Sequence, residues 1–398
     1  SRMKILLVND YATPTAGAEI SAKMLLDGLR NRGHEVRFFS SRAELLPGAS
    51  YADDLCFGTT SRFQVISSTF NLSARRSLVR VLDEFRPDVV HVKMFLWQLS
   101  PLILGPLYDY PSIYHAVVYK PICPTGWKML PDGTRCEAQP GLACLRDGCL
   151  TPQSWTVCMV QNLLWRRDMG AFDTLVTTSF AMKERLEAEG LGPFRIIPNG
   201  CEEREARPPL GSEPRLAYAG RLSAEKGVDT LLRAFKRLLG HIPGARLEIV
   251  GDGPLRDRLQ ELARRLGIND DVDFAGPLPT TEMERRLETA WVQAVPSKWD
   301  EPFGMVAIEA MMRGTAVLAS NGGGLRDIVR NGETGLLVAH DNVEAWASAL
   351  THLLSDRDRC EAMGAAGRKV ALDEYTVDHK IDRILSLYEN LLNREQKT

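Results

Sequence analysis

The sequence RLAYAGRLSAEKGVDTLL, residues 215–232, decides the fold that we predict for this chain. Its first residues are mostly apolar, as expected of a strand that is buried on both faces of a sheet. A turn with a glycine and two cations follows, and the apolar residues after Gly227 then recur at helical spacing. A strand, a turn and a helix in this order form the repeating unit of a parallel, doubly wound sheet.

The same unit recurs on both sides of a polar segment rich in proline and glycine, residues 195–215, which we interpret as a linker. Five strands are predicted before the linker and six after it: MKILLVND, HEVRFFSS, DVVHV, SIYHAVV and TLVTTS, then RLAYAGR, RLEIVGDG, VDFAG, WVQAVPS, TAVLAS and TGLLV. We therefore predict an α/β protein with two Rossmann-like, doubly wound domains that face a central cleft. The N-terminal domain is expected over residues 1–197 and the C-terminal domain over residues 198–376. A last helix, within residues 377–398, is expected to pack back toward the N-terminal domain.

Composition narrows the class of protein. Of the 398 residues, 25% are charged and the formal net charge is −2, which gives no electrostatic argument for binding nucleic acid. There is no run of 18 apolar residues and no recognisable signal peptide, so we expect a cytoplasmic protein whose eight cysteines are mostly reduced. One predicted helix, residues 73–85, interleaves basic and apolar residues. It is either an ordinary helix of the domain or a contact with the inner face of a membrane.

Two cations in the turn after the first strand of the C-terminal domain are candidates for binding phosphate. Arg221 and Lys226 follow the carboxyl end of this strand, where ligands of such sheets bind. A guanidinium can donate two parallel hydrogen bonds to a diphosphate, and an ammonium adds a point charge. The alternative is a pair of exposed basic residues near Glu225.

The segment EPFGMVAIEAMMRG, residues 301–314, places two acids around an apolar helix that we expect to run from about Gly304 to Met312. The free N–H groups at the start of this helix would bind an anion. Glu301 and Glu309 would then accept hydrogen bonds from hydroxyls, Glu301 from a transferred sugar and Glu309 from a ribose. Alternatively, Glu301 only complements the helix dipole and Glu309 is solvated.

Two further turns, VGDGP with Gly251 and AGPLP with Leu278, are candidates for backbone contact with a nucleotide base, although glycine is common in any tight turn. In this order and spacing, the segments AGRLSAEKGVDTLLRAF, LEIVGDGP, EPFGMVAIEAM and GGGLRDIVRNGETGLLV closely resemble the C-terminal domain of retaining glycosyltransferase family 4, the glycosyl transferases of group 1. The resemblance implies the GT-B fold and a nucleoside diphosphate sugar as donor.

The resemblance also implies a role for each candidate in the C-terminal half. Arg221 and Lys226 would hold the donor diphosphate, while Glu301 would contact the donor sugar and Glu309 the ribose. Sugar and phosphate would also meet the backbone of four consecutive residues, which are Phe303, Gly304, Met305 and Val306.

Two candidates lie in the N-terminal half. The family usually has two adjacent glycines in its first turn, but here Ala16 precedes Gly17. Gly17 alone would therefore approach the donor phosphate or the acceptor, and a positive φ at Ala16 would be strained. His115 resembles the family's cleft histidine, which orients the reacting sugar or acceptor, although Ala116 replaces the aspartate that usually follows. The alternative for His115 is a structural role.

The implied activity is transfer of a sugar to a hydroxyl acceptor with retention of anomeric configuration. No cofactor or metal is expected to be required, because Arg221, Lys226 and the helix N-terminus would neutralise the leaving diphosphate. UDP is the default donor nucleotide, and the acceptor would be a glycan, a lipid-linked glycan or a small molecule. The alternatives are a nucleotide-sugar epimerase or hydrolase of similar fold, and a non-catalytic nucleotide-sugar-binding protein.

A cysteine-rich insert is expected over residues 121–152. It is rich in glycine, proline and charged residues and has few residues that could build a core, so it needs a staple. Structural zinc, disulfides, and free or redox-active thiols are the alternatives for its four cysteines. These cysteines are Cys123, Cys136, Cys144 and Cys149.

Overall fold

The computed structural model describes residues 2–46 and 48–395, with side chains through Asn393. These residues form two compact units. The first unit contains the described residues up to Pro131, then Cys136–Gly200 and the chain from Val377 onward, and the second contains Asp132–Arg135 and Cys201–Thr376. Asp132–Arg135, which we expected to belong to the insert of the N-terminal domain, thus group with the second unit. Residues 1, 47 and 396–398 of the expected domains lie outside the described residues.

The first unit is built on a seven-stranded parallel sheet. In chain order its strands, β1 to β7, are Lys4–Val8, Glu35–Ser41, Asp54–Cys56, Val89–Val92, Ser112–Ala116, Thr174–Thr177 and Phe194–Ile196. Their order across the sheet is β3-β2-β1-β4-β5-β6-β7, so the winding direction reverses between β1 and β4. The α-helices of this unit, α1 to α6 and α14, are Gly17–Asn31, Gln64–Ser67, Leu72–Phe85, Ala143–Arg146, Pro152–Asp168, Phe180–Ala188 and Val377–Glu395.

The core of the first unit joins the two ends of the chain. Four of the five residues of β1 are buried, because this strand pairs with β2 on one side and β4 on the other. Buried apolar residues of α1 and α14 belong to the same core cluster as those of β1. The residues that α14 contributes are Ile381, Ile384, Leu387, Tyr388 and Leu391.

The second unit is built on a six-stranded parallel sheet. In chain order its strands, β8 to β13, are Arg215–Ala219, Arg246–Val250, Val272–Gly276, Val292–Val295, Ala316–Ser320 and Gly335–Val338. Their order is β10-β9-β8-β11-β12-β13, so the winding direction reverses between β8 and β11. The α-helices, α7 to α13, are Val228–Leu239, Arg256–Leu266, Thr280–Leu287, Met305–Arg313, Leu325–Ile328, Val343–Leu354 and Arg357–Glu374.

Helical periodicity explains how α7 packs on this sheet. Its buried apolar residues recur at helical spacing, so one face of the helix meets the core while the other carries charge. These residues are Val228, Leu231, Leu232, Phe235 and Leu238.

The two parallel, doubly wound sheets confirm the predicted fold class. Ligands of such sheets bind beyond the carboxyl ends of the strands at the point where the strand order reverses. In the second unit this point is the edge formed by the turns after β8 and β11. Among the described helices, none is long and apolar enough to cross a bilayer.

Candidate functional site

The turns after β8 and β11 bring Lys226 and Glu301 together. Lys226 Nζ lies 2.6 Å from Glu301 Oε1, and the hydroxyl of Ser297 donates a second hydrogen bond of 2.7 Å to the same oxygen. The backbone N–H of Lys298 donates to the carbonyl of Glu225 at 2.8 Å, which ties the two turns to each other. The winding reversal thus gathers a cation and an anion at one sheet edge.

Glu301 is a nearly buried carboxylate that stays ionised. Its exposed fraction is 9%, and burial by itself would raise its pKa. The charge of Lys226 and the hydrogen bonds from Lys226 and Ser297 outweigh burial, so the pKa of Glu301 is lowered. Lys226 Nζ also lies 5.3 Å from the centroid of the Trp299 ring. An ionised carboxylate can accept hydrogen bonds from hydroxyls of a ligand.

Arg221 presents a cation at the same edge. It directly follows Gly220 at the end of β8, and its side chain is exposed. The hydroxyl of Tyr218 donates a hydrogen bond of 2.8 Å to the backbone carbonyl of Arg221, which fixes the turn. Within the part of the chain that the structure describes, Arg221 forms no ion pair with a carboxylate. Its guanidinium therefore has donors to offer to an anion.

Helix α10 begins beside this pair, as its sequence predicted. Gly304 is its N-cap residue, and no side chain caps the helix, so the first N–H groups of Met305 and Val306 have no side-chain acceptor at this end. Phe303 is only 5% exposed and its ring packs against Tyr375, so its backbone rather than its side chain is the part that a ligand could meet.

Glu309 lies one turn further along α10 and contacts a cation that the sequence reasoning missed. Arg204 Nη2 lies 3.6 Å from Glu309 Oε1, and Arg204 also pairs with Glu284. Burial raises the pKa of Glu309, although Arg204 and Arg313 act in the opposite direction. Glu309 is therefore neither fully solvated nor free of partners, in contrast to the alternative that its sequence left open.

Packing within the second unit explains the residues found in the turns that contain Gly251 and Leu278. A Cβ atom on Gly251 would lie 2.0 Å from the carbonyl oxygen of Gly220, so this position permits close contact between the turns after β9 and β8. Leu278 is half-buried and packs against the apolar cluster at the ends of these strands. Both residues lie at the carboxyl edge of the sheet, and contact with a base remains a prediction.

Three contributors to this edge had no clear signal in the sequence. Ser297 and Trp299 lie in the loop PSKWDEP, where only their position after a strand could have marked them. Arg204 lies in a segment that we interpreted as a linker, because it has no periodicity. Its contact with Glu309 depends on the folding of residues about a hundred positions away.

The backbone at Ala16 is not strained, in contrast to the strain that a positive φ would cause there. Ala16 has an extended backbone with φ −139° and ψ 171°, so no left-handed conformation is required. Helix α1 begins at Gly17, and a Cβ atom added at Gly17 would meet nothing within 4 Å. Gly17 therefore lies at an uncrowded helix N-terminus.

His115 is not exposed, in contrast to the cleft position that its sequence suggested. It is the fourth residue of β5 and is fully buried, and β5 lies between two other strands of the sheet. Its Nδ1 lies 3.2 Å from His91 Nε2, and His91 Nδ1 lies 2.6 Å from the hydroxyl of Tyr388. Burial lowers the pKa of His115 well below its ordinary value, so the ring is neutral. These contacts favour the structural alternative.

A second buried group of polar residues lies near His115. Lys93 and Lys380, each 2% exposed, both donate to the hydroxyl oxygen of Ser21, at 3.2 and 2.6 Å. Lys380 also donates to Asn199 Oδ1 at 3.0 Å. Burial lowers the pKa of Lys93 to about 7, against the opposite effect of Glu19. No pattern in the sequence singled out these lysines.

The four cysteines of the insert surround one small cavity of about 20 Å³, a volume that matches a single water molecule. All four are free thiols. Among the described residues, no group of three or more His, Cys, Asp or Glu side chains is arranged to hold a metal ion, so the zinc alternative is not supported.

A buried ion pair stabilises the insert. Lys128 Nζ lies 2.6 Å from Glu189 Oε1, with side chains 3% and 7% exposed, and it also donates to the carbonyl of Ala138 at 2.7 Å. Trp155 Nε1 adds a hydrogen bond of 2.8 Å to the carbonyl of Gly141. These contacts tie the insert to the elements that follow it.

Comparison with known proteins agrees with this architecture. Residues 202–370 match the family described as Glycosyl transferases group 1, and residues 16–200 match the Glycosyl transferase 4-like domain. Sucrose-phosphate synthase from Thermosynechococcus elongatus superposes with a TM-score of 0.72 at 22% identity, over 99% of this chain and 100% of that one. The fold is therefore GT-B. The two family matches together span both units, and the chain belongs to the glycosyl transferases of group 1.

Two curated relatives show how far the similarity extends. A glycogen synthase of Mycobacterium tuberculosis is 32% identical over 292 residues, which are 72% of this chain and 64% of that protein. A D-inositol 3-phosphate glycosyltransferase of Nocardia farcinica is 44% identical over 210 residues, or 48% of this chain and 46% of that protein. The chain thus spans from about half to just under two thirds of the length of these relatives.

Proposed function

We propose that the chain transfers a sugar from a nucleoside diphosphate sugar to a hydroxyl acceptor, with retention of anomeric configuration. The observation that carries this proposal is the contact of Lys226 with Glu301 at the winding reversal of the second sheet. A ligand that has both phosphate and hydroxyl groups satisfies this pair and the neighbouring Arg221 together. A nucleoside diphosphate sugar is such a ligand.

The diphosphate is held by cations and backbone donors in this proposal. Its oxygens accept hydrogen bonds from Arg221, from Lys226 and from the first N–H groups of α10. These donors are fixed before the reaction begins, so they stabilise the charge that develops on the leaving diphosphate, by about 3–4 kcal/mol for a well-placed donor. No step of the proposed reaction requires a metal ion.

The two glutamates recognise the two sugars. Glu301, ionised beside Lys226, accepts hydrogen bonds from hydroxyls of the transferred sugar, and Glu309 accepts from the ribose. The backbone from Phe303 to Val306 completes the contacts with sugar and phosphate. The turns at Gly251 and Leu278 lie along the same sheet edge and are proposed to meet the base, with UDP as the default nucleotide.

The proposed bond changes balance without a protein nucleophile. The acceptor oxygen forms a bond to the anomeric carbon on the face from which the diphosphate departs, and the bond between that carbon and the phosphate oxygen breaks. The acceptor proton passes to a phosphate oxygen. The acceptor is a glycan, a lipid-linked glycan or a small molecule. Gly17 is proposed to approach the donor phosphate or the acceptor, and His115 acts only through the residues around it.

Binding of nucleoside diphosphates tests the site. Thermal shift and calorimetry with UDP, GDP, ADP and TDP are expected to show one preferred nucleotide. Arg221→Ala should weaken its affinity by about 10-fold or more, since a hydrogen bond to a charged group is worth about 1.5–3 kcal/mol. The matched control is Arg264→Ala, which removes an exposed arginine on α8 whose side chain is 60% exposed. Equal affinity in both variants would contradict the proposed diphosphate site.

Turnover separates the proposed activity from its alternatives. Release of the diphosphate from the preferred donor only when an acceptor is added supports transfer. Release or isomerisation of the donor without acceptor supports an epimerase or hydrolase, and tight binding without turnover supports a non-catalytic protein. The anomeric configuration of the product, read by NMR coupling constants, tests retention. Unchanged turnover in EDTA tests independence from metal.

A further inference from the structure

One stretch of the first unit, residues 56–82, exposes a concentration of large apolar side chains. The described residues include 14 exposed large apolar side chains, and six of them fall within residues 56–82. Their exposed fractions are between 38% and 55%. These six residues are Phe57, Phe63, Ile66, Phe70, Leu72 and Val79. Exposed apolar patches on a folded protein mark sites of contact with a membrane or with another molecule.

Hydrogen bonds fix the backbone from which these side chains project. The side chain of Asn71, only 3% exposed, donates to the carbonyl of Phe57 at 2.9 Å and accepts from the backbone of Ala74 at 2.9 Å, where it caps α3. The end of β3 is thereby joined to the start of α3. Gln161 of α5 donates to the carbonyl of Ser68 at 2.7 Å, which fixes the segment after α2. The apolar side chains therefore project from a fixed backbone.

The same segment is basic and has no acidic residue. Residues 56–82 include four arginines and no Asp or Glu. All four are exposed, and among the described residues none of them pairs with a carboxylate. Several exposed arginines of the second unit are paired instead, since Arg264 and Arg265 pair with Glu261, and Arg285 pairs with Glu282. The four unpaired arginines are Arg62, Arg75, Arg76 and Arg80. We call them and the six apolar residues the basic apolar face.

Helix α3 shows how the two kinds of residue are arranged. Leu72, Arg75, Arg76, Val79 and Arg80 occupy positions i, i+3, i+4, i+7 and i+8, which form one stripe on a helix. The residues on the opposite side of α3 are buried in the core of the first unit. Asp83, at i+11, continues the stripe and is exposed, so three arginines face one acid along it. The outward stripe therefore combines apolar groups with a net positive charge, as in helices that lie in the plane of a membrane interface.

We propose that the basic apolar face docks on a membrane surface rich in anionic lipids. The aromatic and aliphatic side chains would enter the boundary between headgroups and acyl chains, and the arginines would bind lipid phosphates. A layer of anionic headgroups offers negative charge at every position along the face, so it complements four dispersed arginines without a specific pattern of carboxylates. Docking does not depend on the proposed sugar transfer, and it would bring the first unit to lipid-linked acceptors.

Vesicle co-sedimentation of the full chain tests the proposal. The protein should sediment with vesicles of phosphatidylglycerol and phosphatidylcholine in equal amounts, much less with phosphatidylcholine alone, and less as sodium chloride is raised. The triple variant Arg75→Ala, Arg76→Ala, Arg80→Ala should bind about 100-fold more weakly, at about fivefold for each charge. The double variant Phe63→Ser, Phe70→Ser should also lose binding. Both are expected to fold, because the replaced side chains are exposed, and unchanged thermal unfolding checks this.

Two matched controls carry the same chemical changes elsewhere. Arg264→Ala, Arg265→Ala, Arg285→Ala removes three exposed arginines from the second unit, and Leu142→Ser, Phe180→Ser removes two side chains that are 73% and 52% exposed. Both should sediment like the unmodified chain. Sedimentation that does not depend on phosphatidylglycerol, or equal losses in the control variants, would overturn the proposal. Lipid-free dimers that the face variants abolish would overturn it as well, since a second copy would then be the occupant. The salt dependence of the unmodified chain supplies a test that needs no variant.

Discussion

Lys226 Nζ lies 2.6 Å from Glu301 Oε1, although 75 residues separate the two in the sequence. The pair joins the cation proposed for the diphosphate to the carboxylate proposed for the sugar. A phosphate that binds Lys226 would compete with Glu301 for the ammonium protons. In the proposed site the two halves of the donor would be recognised by groups that influence each other, so variants of the two residues should have different effects.

Glu301→Gln keeps the shape of the side chain and removes its charge. We expect turnover to fall by about 10²–10³-fold, comparable to the loss of one transition-state contact. Nucleoside diphosphate affinity should stay the same or increase, because Lys226 is no longer held by a carboxylate. Steady-state kinetics and calorimetry with the free diphosphate measure the two effects separately.

Lys226→Met should lower both turnover and diphosphate affinity, because Lys226 is proposed to hold the leaving diphosphate. Diphosphate affinity is expected to fall by about 10-fold or more, since a charged hydrogen bond is lost. Lys236→Met, on the exposed side of α7, is the control and should change neither quantity. Identical losses of affinity in Glu301→Gln and Lys226→Met would show that the two residues do not divide the ligand as we propose.

Gly323→Ala should displace Glu301, although the two residues are not neighbours in the sequence. Gly323 has φ +54°, and a Cβ atom there would lie 2.4 Å from both the backbone N and O of Glu301. The shift that relieves this contact moves the carboxylate, so we expect turnover to fall at least 10-fold, since a displacement near 1 Å can cost about 10²-fold. Gly332→Ala is the matched control, with φ +83° and nothing within 4 Å. It should be destabilised by about 1–2 kcal/mol for the left-handed backbone alone and keep its turnover.

The ion pair of Lys128 with Glu189 should support the cysteine-rich insert. Glu189→Ala leaves a buried ammonium without its partner, and breaking such a pair typically destabilises by about 3–5 kcal/mol. Limited proteolysis and thermal unfolding should both show the loss, with cleavage focused on the insert. Arg146→Ala, which breaks an exposed pair with Asp147 in the same insert, should leave both measurements unchanged. Glu189→Ala with normal protease resistance would indicate that another contact holds the insert.

The buried lysine at the end of β4 should make stability depend on pH in the alkaline range. Burial lowers the pKa of Lys93 from 10.5 to about 7, so between these values the unfolded chain binds a proton that the folded chain has lost. Stability therefore rises with pH through this window, and the full cost of burial applies below about pH 7. Each pKa unit corresponds to about 1.4 kcal/mol.

Lys93→Met removes this titration. Its Tm relative to the unmodified chain should be higher at pH 6.5 than at pH 9.5, by on the order of 5 °C. Lys236→Met serves as the exposed control and should show no such trend. A constant Tm offset between Lys93→Met and the unmodified chain at both pH values would contradict the predicted titration of Lys93.

Most of the fold could be predicted because local patterns determine it. All eleven strands that the apolar runs indicated are present, and α10 was predicted within one residue at each end. The strands that were missed, β3 and β7, have three residues each, which is too short for any periodicity to show. β7 also occupies the start of the segment that we interpreted as a linker.

The site was predictable only in part, because its contacts join distant segments. Position after a strand correctly placed Arg221, Lys226 and Glu301 at one sheet edge. The same reasoning could not tell that Lys226 already has a carboxylate partner, or that Arg204 reaches Glu309. For His115, proximity to a strand end could not reveal that the residue is buried against His91, which in turn contacts Tyr388 of α14.

The position of helix α14 in the sequence determines when the first unit can complete its folding during synthesis. Its residues from Ile381 to Leu391 complete the core around β1, yet they are separated from that strand by more than 350 residues. A ribosome releases them after the whole second unit, so part of the apolar interior of the first unit stays uncovered while the second unit is synthesised and able to fold. Residues 1–200 expressed alone should therefore keep part of their apolar core uncovered. Fusing residues 377–395 behind them should complete that core and allow the first unit to fold by itself.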